Sequence, residues 1–142
     1  MKFVRVKKLH ASARLPEYAT DGSGCFDLFA LNGSELYSGS GVIDTGLAME
    51  IPEGWVMQIF SRSGHGFKND VRLSNCVGII DADYRGPVKV KLRSDAPSFF
   101  RVEAGDRVAQ GMLVEVERVS FNEVSELSET KRGAGGFGST GA

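Results

Sequence analysis

Several short stretches of the sequence combine residue types that could bind and cleave a phosphorylated ligand. Arginine and serine beside a glycine turn can hold an anion through charge-assisted and neutral hydrogen bonds. An aspartate at a rigid turn can orient a water molecule, and a nearby tyrosine can lie against a sugar ring. The stretches that carry such residues are GCFDLFA with Asp27, FSRSGHG with Arg62 and Ser63, DADYRG with Asp81 and Tyr84, and AGDRVAQGML with Gln110.

Each of these stretches also has a structural interpretation, and the residues alone leave both interpretations open. Asp27 is also suited to closing a turn through its own backbone. Asp106 and Arg107 are expected to pair locally at the start of a strand. Gln110 lies on an otherwise apolar face, where a buried amide needs hydrogen-bond partners, either in the fold or in a site. His65 is expected to be a surface or turn histidine rather than a general base.

The elements that must position these residues are short β-strands. Apolar and polar residues alternate with a period of two, most clearly over residues 43–51 and 88–92. Similar runs cover residues 3–7, 55–60 and 108–116, and turn-forming clusters separate them. The chain is therefore expected to be an all-β sandwich or barrel. At most one short helix is expected, following Arg62-Ser63-Gly64, with the serine capping its first turn.

The stretch SNCVGIIDADYRGPVKVKL predicts a β-hairpin. Residues 75–80 and 88–92 would form its two strands, and Asp81–Gly86 would form its turn. Such a hairpin would be a rigid slot, open at one end, whose backbone N–H and C=O groups could pair with a flat heterocycle. A hairpin with a polar turn and an aromatic plug is the structural alternative.

Length and composition fit one folded domain that binds a small ligand. A chain of 142 residues with 42% hydrophobic and 25% charged residues is typical of a single globular domain. The net charge of −1 argues against binding a long nucleic acid. No apolar run suits a signal peptide or a membrane span, so a soluble protein of the cytoplasm, or the nucleoplasm, is expected. Cys25 and Cys76 lack metal-binding spacing and are expected to be core thiols.

Taken in order, GCFDL, RSG, GIIDADYRG, GDRVAQ and RGAGGFGSTG resemble the five ordered motifs of the trimeric dUTPase family, over residues 24–141. The resemblance implies a jelly-roll-like all-β domain over residues 1–131 and a flexible lid over residues 132–142. It also implies a homotrimer in which all three subunits contribute to each active site. The implied reaction is hydrolysis of dUTP to dUMP and pyrophosphate, with Mg²⁺ bound mainly through the triphosphate.

The same resemblance implies roles for individual residues. Asp81 would activate the attacking water and bind the sugar 3′-hydroxyl, and Tyr84 would pack against deoxyribose and exclude a 2′-hydroxyl. Arg62 and Ser63 would contact the phosphates, with Ser63 near the α,β-bridge, and Gln110 would reach the phosphates or the water. The other implied substrate contacts in the body of the chain are Gly64, Asn75, Gly78 and Lys91.

Asp27 and the tail complete the implied site. Asp27 would touch the water shell of the metal rather than the metal itself. Arg132 would reach the γ-phosphate, and Phe137 would stack on uracil. Further contacts with the nucleotide are implied for Gly138, Ser139 and Thr140. The glycine-rich composition predicts a mobile tail that orders over bound nucleotide.

The sequence departs from the family pattern at two places. Gly24 and Cys25 stand where the first motif usually has Ala-Gly, and His65 stands where Leu or another apolar residue usually follows RSG. Neither departure removes a residue with a chemical role, so activity is expected to be retained.

Two other functions remain to be weighed. A dCTP deaminase of the same fold needs a glutamate beside the pyrimidine C4, and no glutamate occurs between Asn75 and Lys91. A protein that uses the fold only to bind a partner would not need the acid, amide and arginine positions to be intact. Hydrolysis of dUTP is therefore the favoured expectation.

Overall fold

Antiparallel β-strands make up most of the structure, a computed structural model that describes residues 3–36, 39–96 and 99–139. A single short helix, α1, occurs among these residues. The elements are β1 Arg5–Lys8, β2 Glu17–Tyr18, β3 Phe26–Phe29, β4 Ser34–Leu36, β5 Ser40–Glu50, β6 Trp55–Phe60, α1 Ser63–Asn69, β7 Val71–Leu73, β8 Val77–Ile80, β9 Pro87–Ser94, β10 Phe100–Val102 and β11 Arg107–Glu115.

The strands form two larger sheets and one strand pair. The four-stranded sheet has the order β1-β5-β9-β7, and the five-stranded sheet has the order β2-β3-β11-β6-β8. Strands β10 and β4 form the separate pair. Because most neighbours in the two large sheets, all but β2 and β3, are not consecutive along the chain, the topology is that of a jelly-roll-like all-β domain, which confirms the expected fold class.

One hydrophobic cluster contains side chains from both large sheets. The alternation predicted for β9 is observed, since Val88, Val90 and Leu92 are buried while the residues between them are exposed. Leu47 of β5 and Leu28 of β3 belong to the same cluster and are fully buried. Complete burial of such a side chain contributes about 1.5–3 kcal/mol. The cluster therefore fixes the two sheets from which the polar residues project.

A bulge in β5 brings the sheet to the end of the Asp81–Gly86 turn. The register between β5 and β9 shifts between Asp44 and Ala48, and Ala48 then pairs with Pro87. Gly46 has a positive φ of 68°, and a Cβ there would lie 2.9 Å from the Cβ of Ala13. A side chain at this position would be strained by both conformation and contact, so the bulge requires glycine.

The predicted hairpin over residues 75–92 is wrong as a pair of hydrogen-bonded strands. Strand β8 lies at the edge of the five-stranded sheet beside β6, whereas β9 lies between β5 and β7 in the other sheet. The turn at residues 81–86 therefore connects two sheets. Alternation indicates which face of a strand is buried but not which sheet contains the strand, so the pattern could not reveal this arrangement.

Three smaller expectations also require correction. Helix α1 lies in the predicted region, but it begins at Ser63 rather than after Gly64, its N-cap is Arg62, and no side chain caps it. Cys25 is only half-buried and Cys76 is exposed, so neither is a core thiol. Asp106 accepts a hydrogen bond from the Glu103 N–H and does not pair with Arg107.

Across residues 3–36, 39–96 and 99–139, no helix is long and apolar enough to cross a membrane.

Candidate active site

The registers of β3, β11 and β6 bring three of the predicted site segments together. Gln110 of β11 pairs with Asp27 of β3 on one side and with Phe60 of β6 on the other. Asp27, Gln110 and Phe60 thus form a row across the sheet. Because β6 ends at Phe60, Arg62 and Ser63 follow directly at the end of this row. Residues that are 35 to 49 positions apart thus become neighbours.

A cavity of about 540 Å³, here called the Arg62 cleft, opens beside this row. Its lining includes Ser61, Arg62, Ser63, Phe67, Arg72 and Gln110. The Gln110 side chain donates from Nε2 to the Ser61 carbonyl at 2.9 Å, which ties β11 to the segment that follows β6. The cleft therefore presents a cation, a hydroxyl and an amide, the groups expected to bind phosphate oxygens.

Arg62 is held by an ion pair with Asp27. Its Nε donates to Asp27 Oδ1 at 3.0 Å, and its Nη1 reaches the Arg107 carbonyl at 3.5 Å. The Asp27 side chain is only 9% exposed. A buried carboxylate must be paired, so this contact both satisfies Asp27 and fixes the orientation of the guanidinium. Asp27 does not line the Arg62 cleft but a separate cavity, which Arg107 also lines.

Arg107 is a residue whose contact the sequence did not predict. Its Nη1 donates to Asp27 Oδ2 at 3.4 Å, so the two oxygens of Asp27 serve two different arginines. The register of β3 against β11 creates this contact, and that register shifts between Arg107 and Ala109. No sequence signal that we recognise indicates such a shift, and the adjacent Asp106 was the more obvious partner.

Arg72, on another wall of the cleft, is held by an exposed pair with Asp95. Nε of Arg72 donates to Asp95 Oδ2 at 2.5 Å, and Nη2 donates to Oδ1 at 3.1 Å. These hydrogen bonds lower the pKa of Asp95, and the same contact raises the pKa of Arg72. Both side chains remain more than 40% exposed, so solvent weakens the pair.

The space between β8 and β9 forms another cavity, of about 380 Å³, here called the β8–β9 slot. Three predicted substrate residues line it, namely Asn75, Gly78 and Lys91. The Ser74 N–H donates to the Lys91 carbonyl at 2.8 Å and closes one end. Because β8 and β9 belong to different sheets, their facing backbone edges are not joined as a ladder, and the slot remains open to a flat ligand.

The Asp81–Gly86 turn lies at the other end of β8 and is stabilised within itself. The Tyr84 N–H donates to the Asp81 carbonyl at 3.2 Å, and the Tyr84 hydroxyl donates to the Pro87 carbonyl at 3.1 Å. A Cβ on Gly86 would meet the hydroxyl end of the Tyr84 ring, so a larger residue there would displace the ring from its present position. Tyr84 therefore presents a fixed aromatic face.

Asp81 lines a further cavity, of about 790 Å³, together with Trp55, Arg85 and Arg118. The side chain of Asp81 is exposed. Arg62 and Gln110 line the Arg62 cleft and are not among the residues around this cavity. Within one chain, the predicted water-activating residue and the predicted phosphate-binding residues thus lie in different cavities.

The C-terminal segment lies outside the packed body. Strand β11 ends at Glu115, and residues 116–139 form neither helix nor strand and are mostly exposed. Arg132 donates from Nε to the Gly135 carbonyl at 2.8 Å. Phe137 is fully exposed, with a positive φ of 52°, and the Ser139 N–H donates to Gly136. Thr140, also predicted to bind substrate, lies outside the described residues.

A family model described as dUTPase matches residues 11–141 of the chain. A deoxyuridine 5'-triphosphate nucleotidohydrolase of Helicobacter pylori is 39% identical over 97% of this chain and 96% of its own. A protein of that name from Rickettsia bellii is 46% identical, over 97% of this chain and 95% of its own. The solved structure of the Staphylococcus bacteriophage 80alpha dUTPase with dUPNHPP matches with a TM-score of 0.91 and 28% identity, and the match covers 100% of both chains.

Proposed function

Because this chain belongs to the dUTPase family, we propose that it hydrolyses dUTP to dUMP and pyrophosphate. The observation that carries the proposal is the Arg62 cleft, which is lined by Arg62, Ser63 and Gln110. Within it, the Arg62 guanidinium is held in place by its hydrogen bond to Asp27. Preorganised donors of this kind stabilise charge that develops on a phosphate during cleavage. The names of the relatives and the substrate analogue held by the phage enzyme support the same substrate.

The reaction begins with attack of a water oxygen on the α-phosphorus. The carboxylate of Asp81 orients this water and accepts its proton, and the bond between the α-phosphorus and the α,β-bridging oxygen breaks. Pyrophosphate departs, and the proton passes from Asp81 to solvent. A carboxylate is a weak base, so positioning of the water contributes more to the rate than basicity does.

The phosphates occupy the Arg62 cleft. Arg62 contributes charge, the Ser63 hydroxyl lies near the α,β-bridge, and Gly64 allows close approach of the chain. Gln110 Nε2 donates one of its two hydrogens to the Ser61 carbonyl, so its second N–H is left to donate to a phosphate oxygen and its amide oxygen is left to orient the water. The held guanidinium of Arg62 supports this assignment because it needs little reorganisation to meet a phosphate.

The uracil and the sugar occupy the β8–β9 slot and the Asp81–Gly86 turn. Backbone groups of the slot, beside Asn75, Gly78 and Lys91, pair with the edge of uracil and reject cytosine, whose amino group donates where uracil accepts. The thymine methyl group would clash with the narrow slot. Tyr84, fixed over Gly86, leaves no room for a ribose 2′-hydroxyl.

We propose that the complete site forms only in a homotrimer. Asp81 and Arg62 line different cavities of one chain, so a single subunit does not surround one substrate with both. Closed cyclic symmetry can bring the Asp81 turn of one subunit to the Arg62 cleft of another. The C-terminal segment then acts as a lid, with Arg132 on the γ-phosphate and Phe137 on uracil. Gly138, Ser139 and Thr140 complete the closure.

Magnesium is proposed to arrive with the triphosphate rather than to occupy a site formed by the protein alone. Both oxygens of Asp27 already accept from arginines, although each retains a second lone pair for a metal-bound water. In the part of the chain that the structure describes, no group of three acidic, histidine or cysteine side chains could hold an ion. This donor set fits an ion coordinated mainly by phosphate oxygens, where it would neutralise their charge.

The function is tested by measuring pyrophosphate release from dUTP, dCTP, dTTP and UTP in parallel, with Mg²⁺ and with a chelator. Release from dUTP alone, lost on chelation, is the expected result. Ammonia release from dCTP would instead support deamination. No release from any nucleotide by a folded oligomer would contradict the proposal and favour a protein-binding role.

A further inference from the structure

Helix α1 has little intrinsic stability for an element that begins at the predicted phosphate-binding residues. It spans only Ser63–Asn69, includes Gly64 and Gly66, buries no residue and has no side-chain cap. A helix this short is marginal in water, and each internal glycine costs about 1 kcal/mol relative to alanine. Its position must therefore be fixed by contacts with the rest of the chain.

His65 makes the strongest such contact. Its Nε2 lies 2.7 Å from the Arg107 carbonyl oxygen. Because a carbonyl only accepts, Nε2 must carry the hydrogen. The ring also packs edge-to-face against Phe100, with centroids 5.3 Å apart. Among the described residues, this is the one side-chain hydrogen bond that joins α1 to another element.

The same carbonyl also binds Arg62. Arg62 Nη1 approaches the Arg107 oxygen at 3.5 Å while Arg62 Nε is held by Asp27. The Arg107 side chain returns to Asp27, so the four residues form one connected cluster. A displacement of His65 would move both the start of α1 and the acceptor that Arg62 shares.

We propose that His65 is a positioning residue for Arg62 and Ser63 in the hydrolysis of dUTP, an inference that rests on the proposed function. His65 does not line the Arg62 cleft, so it acts through Arg62 and the helix rather than on the substrate. An apolar residue at this position could pack against Phe100 but could not donate to the Arg107 carbonyl. With histidine, the hydrogen bond thus adds a directional contact to the packing against Phe100.

The test compares kcat and KM for dUTP in three variants of the full-length protein. His65→Leu keeps the packing and removes the donor, His65→Gln restores a donor, and His10→Gln is the matched control. His10 is exposed, and its ring Nδ1 forms hydrogen bonds to Ser12 within the same loop. We expect His65→Leu to lower kcat about tenfold with a smaller change in KM, because a lost hydrogen bond and a displaced group are felt in the transition state. His65→Gln should recover most of the loss, and His10→Gln should match the wild type.

A double variant separates positioning from a general structural role. If His65 acts through Arg62, then His65→Leu should have little further effect on kcat in an Arg62→Ala background. An equal loss in both backgrounds, or no rescue by His65→Gln, would overturn the inference, as would a wild-type kcat in His65→Leu. Failure of the wild type to hydrolyse dUTP would instead overturn the proposed function itself.

Discussion

Contacts in the Arg62 cleft join distant parts of the chain, whereas those in the Asp81–Gly86 turn are local. Arg62 is bound to Asp27 across 35 residues of sequence, and Gln110 is bound to Ser61 across 49. In the turn, Tyr84 bonds to Pro87 only three residues away, and Arg85 bonds to Ala82 at the same separation. The cleft is thus built by the tertiary fold, and the turn is built by its own residues.

This difference explains how the two regions contribute to one reaction. Phosphate binding requires a cationic group that is held in one orientation and partly removed from water. A buried counterion such as Asp27 offsets the cost of that desolvation. Water activation and sugar selection require exposed groups that can meet a substrate lying in another cavity. A rigid turn can present these groups because its hydrogen bonds are local and leave the groups free to meet a substrate. The division favours a site assembled between subunits.

The strongest expected effect is that of Asp81→Asn, which removes the proposed base from the turn. We expect kcat to fall about 10²- to 10⁴-fold, since an amide cannot accept the proton of the attacking water. Binding of dUPNHPP and the oligomeric state should not change, because the Asp81 side chain is exposed and makes no described contact. Normal turnover in this variant would remove the turn from the chemistry.

Asp27→Asn tests whether the cleft depends on its internal ion pairs. Two arginines would lose their shared counterion, so we expect the free energy of unfolding to fall by about 1–3 kcal/mol. We also expect kcat to fall about tenfold as Arg62 loses its fixed orientation. Urea unfolding and steady-state kinetics would measure both, with Asp106→Asn as the control near the same strand. A variant with unchanged kcat would mean that Arg62 needs no support from Asp27.

Phe137→Ala should have a smaller effect, because Phe137 is fully exposed and lies in a segment that forms neither helix nor strand. Loss of stacking on uracil is expected to raise KM by up to about tenfold. The unfolding free energy should not change, since Phe137 is fully exposed. Phe121→Ala, at another exposed aromatic of the segment, serves as the control. A loss of stability without a change in KM would contradict the lid.

The Arg72–Asp95 pair should show the smallest effect. The pKa of Asp95 is lowered in the folded protein, so its contribution to stability is present above the ordinary value of 3.8 and is lost as the pH falls through the lowered value. Asp95→Asn should therefore be slightly less stable than the wild type near neutral pH, and this difference should vanish in acid. A difference that stays constant down to pH 2 would exclude the ion pair as its cause.

The sequence predicted the central strands of the fold, but it did not predict strand β3 or all of the contacts that hold the site residues in place. Alternation located β5 and β9 because each has one buried face. It missed β3, where Phe26–Phe29 are buried on both faces and show no alternation. It also assigned β8 and β9 to one hairpin, because the pattern carries no information about which sheet a strand joins. The pattern also carries no information about the register of β11 against β3. For this reason Arg107 was predicted to pair with Asp106 rather than with Asp27.

The site residues themselves came from the order of the motifs rather than from any local pattern. Arg62, Ser63 and Gln110 do converge in the Arg62 cleft, as expected of residues that bind one ligand. The separation of Asp81 from them depends on the course of β8 between the two sheets. The contact of His65 was hidden because it ends on a backbone carbonyl, which no residue type reveals.

The measurement that tests the divided site most directly is complementation between two inactive chains. Arg62→Ala and Asp81→Asn proteins would be prepared separately, mixed in denaturant, refolded together, and assayed for pyrophosphate release from dUTP. If each site takes Arg62 from one subunit and Asp81 from another, some mixed oligomers contain intact sites, and activity should rise well above the sum of the two variants. Activity equal to that sum, in oligomers shown to contain both chains, would contradict a site divided between subunits.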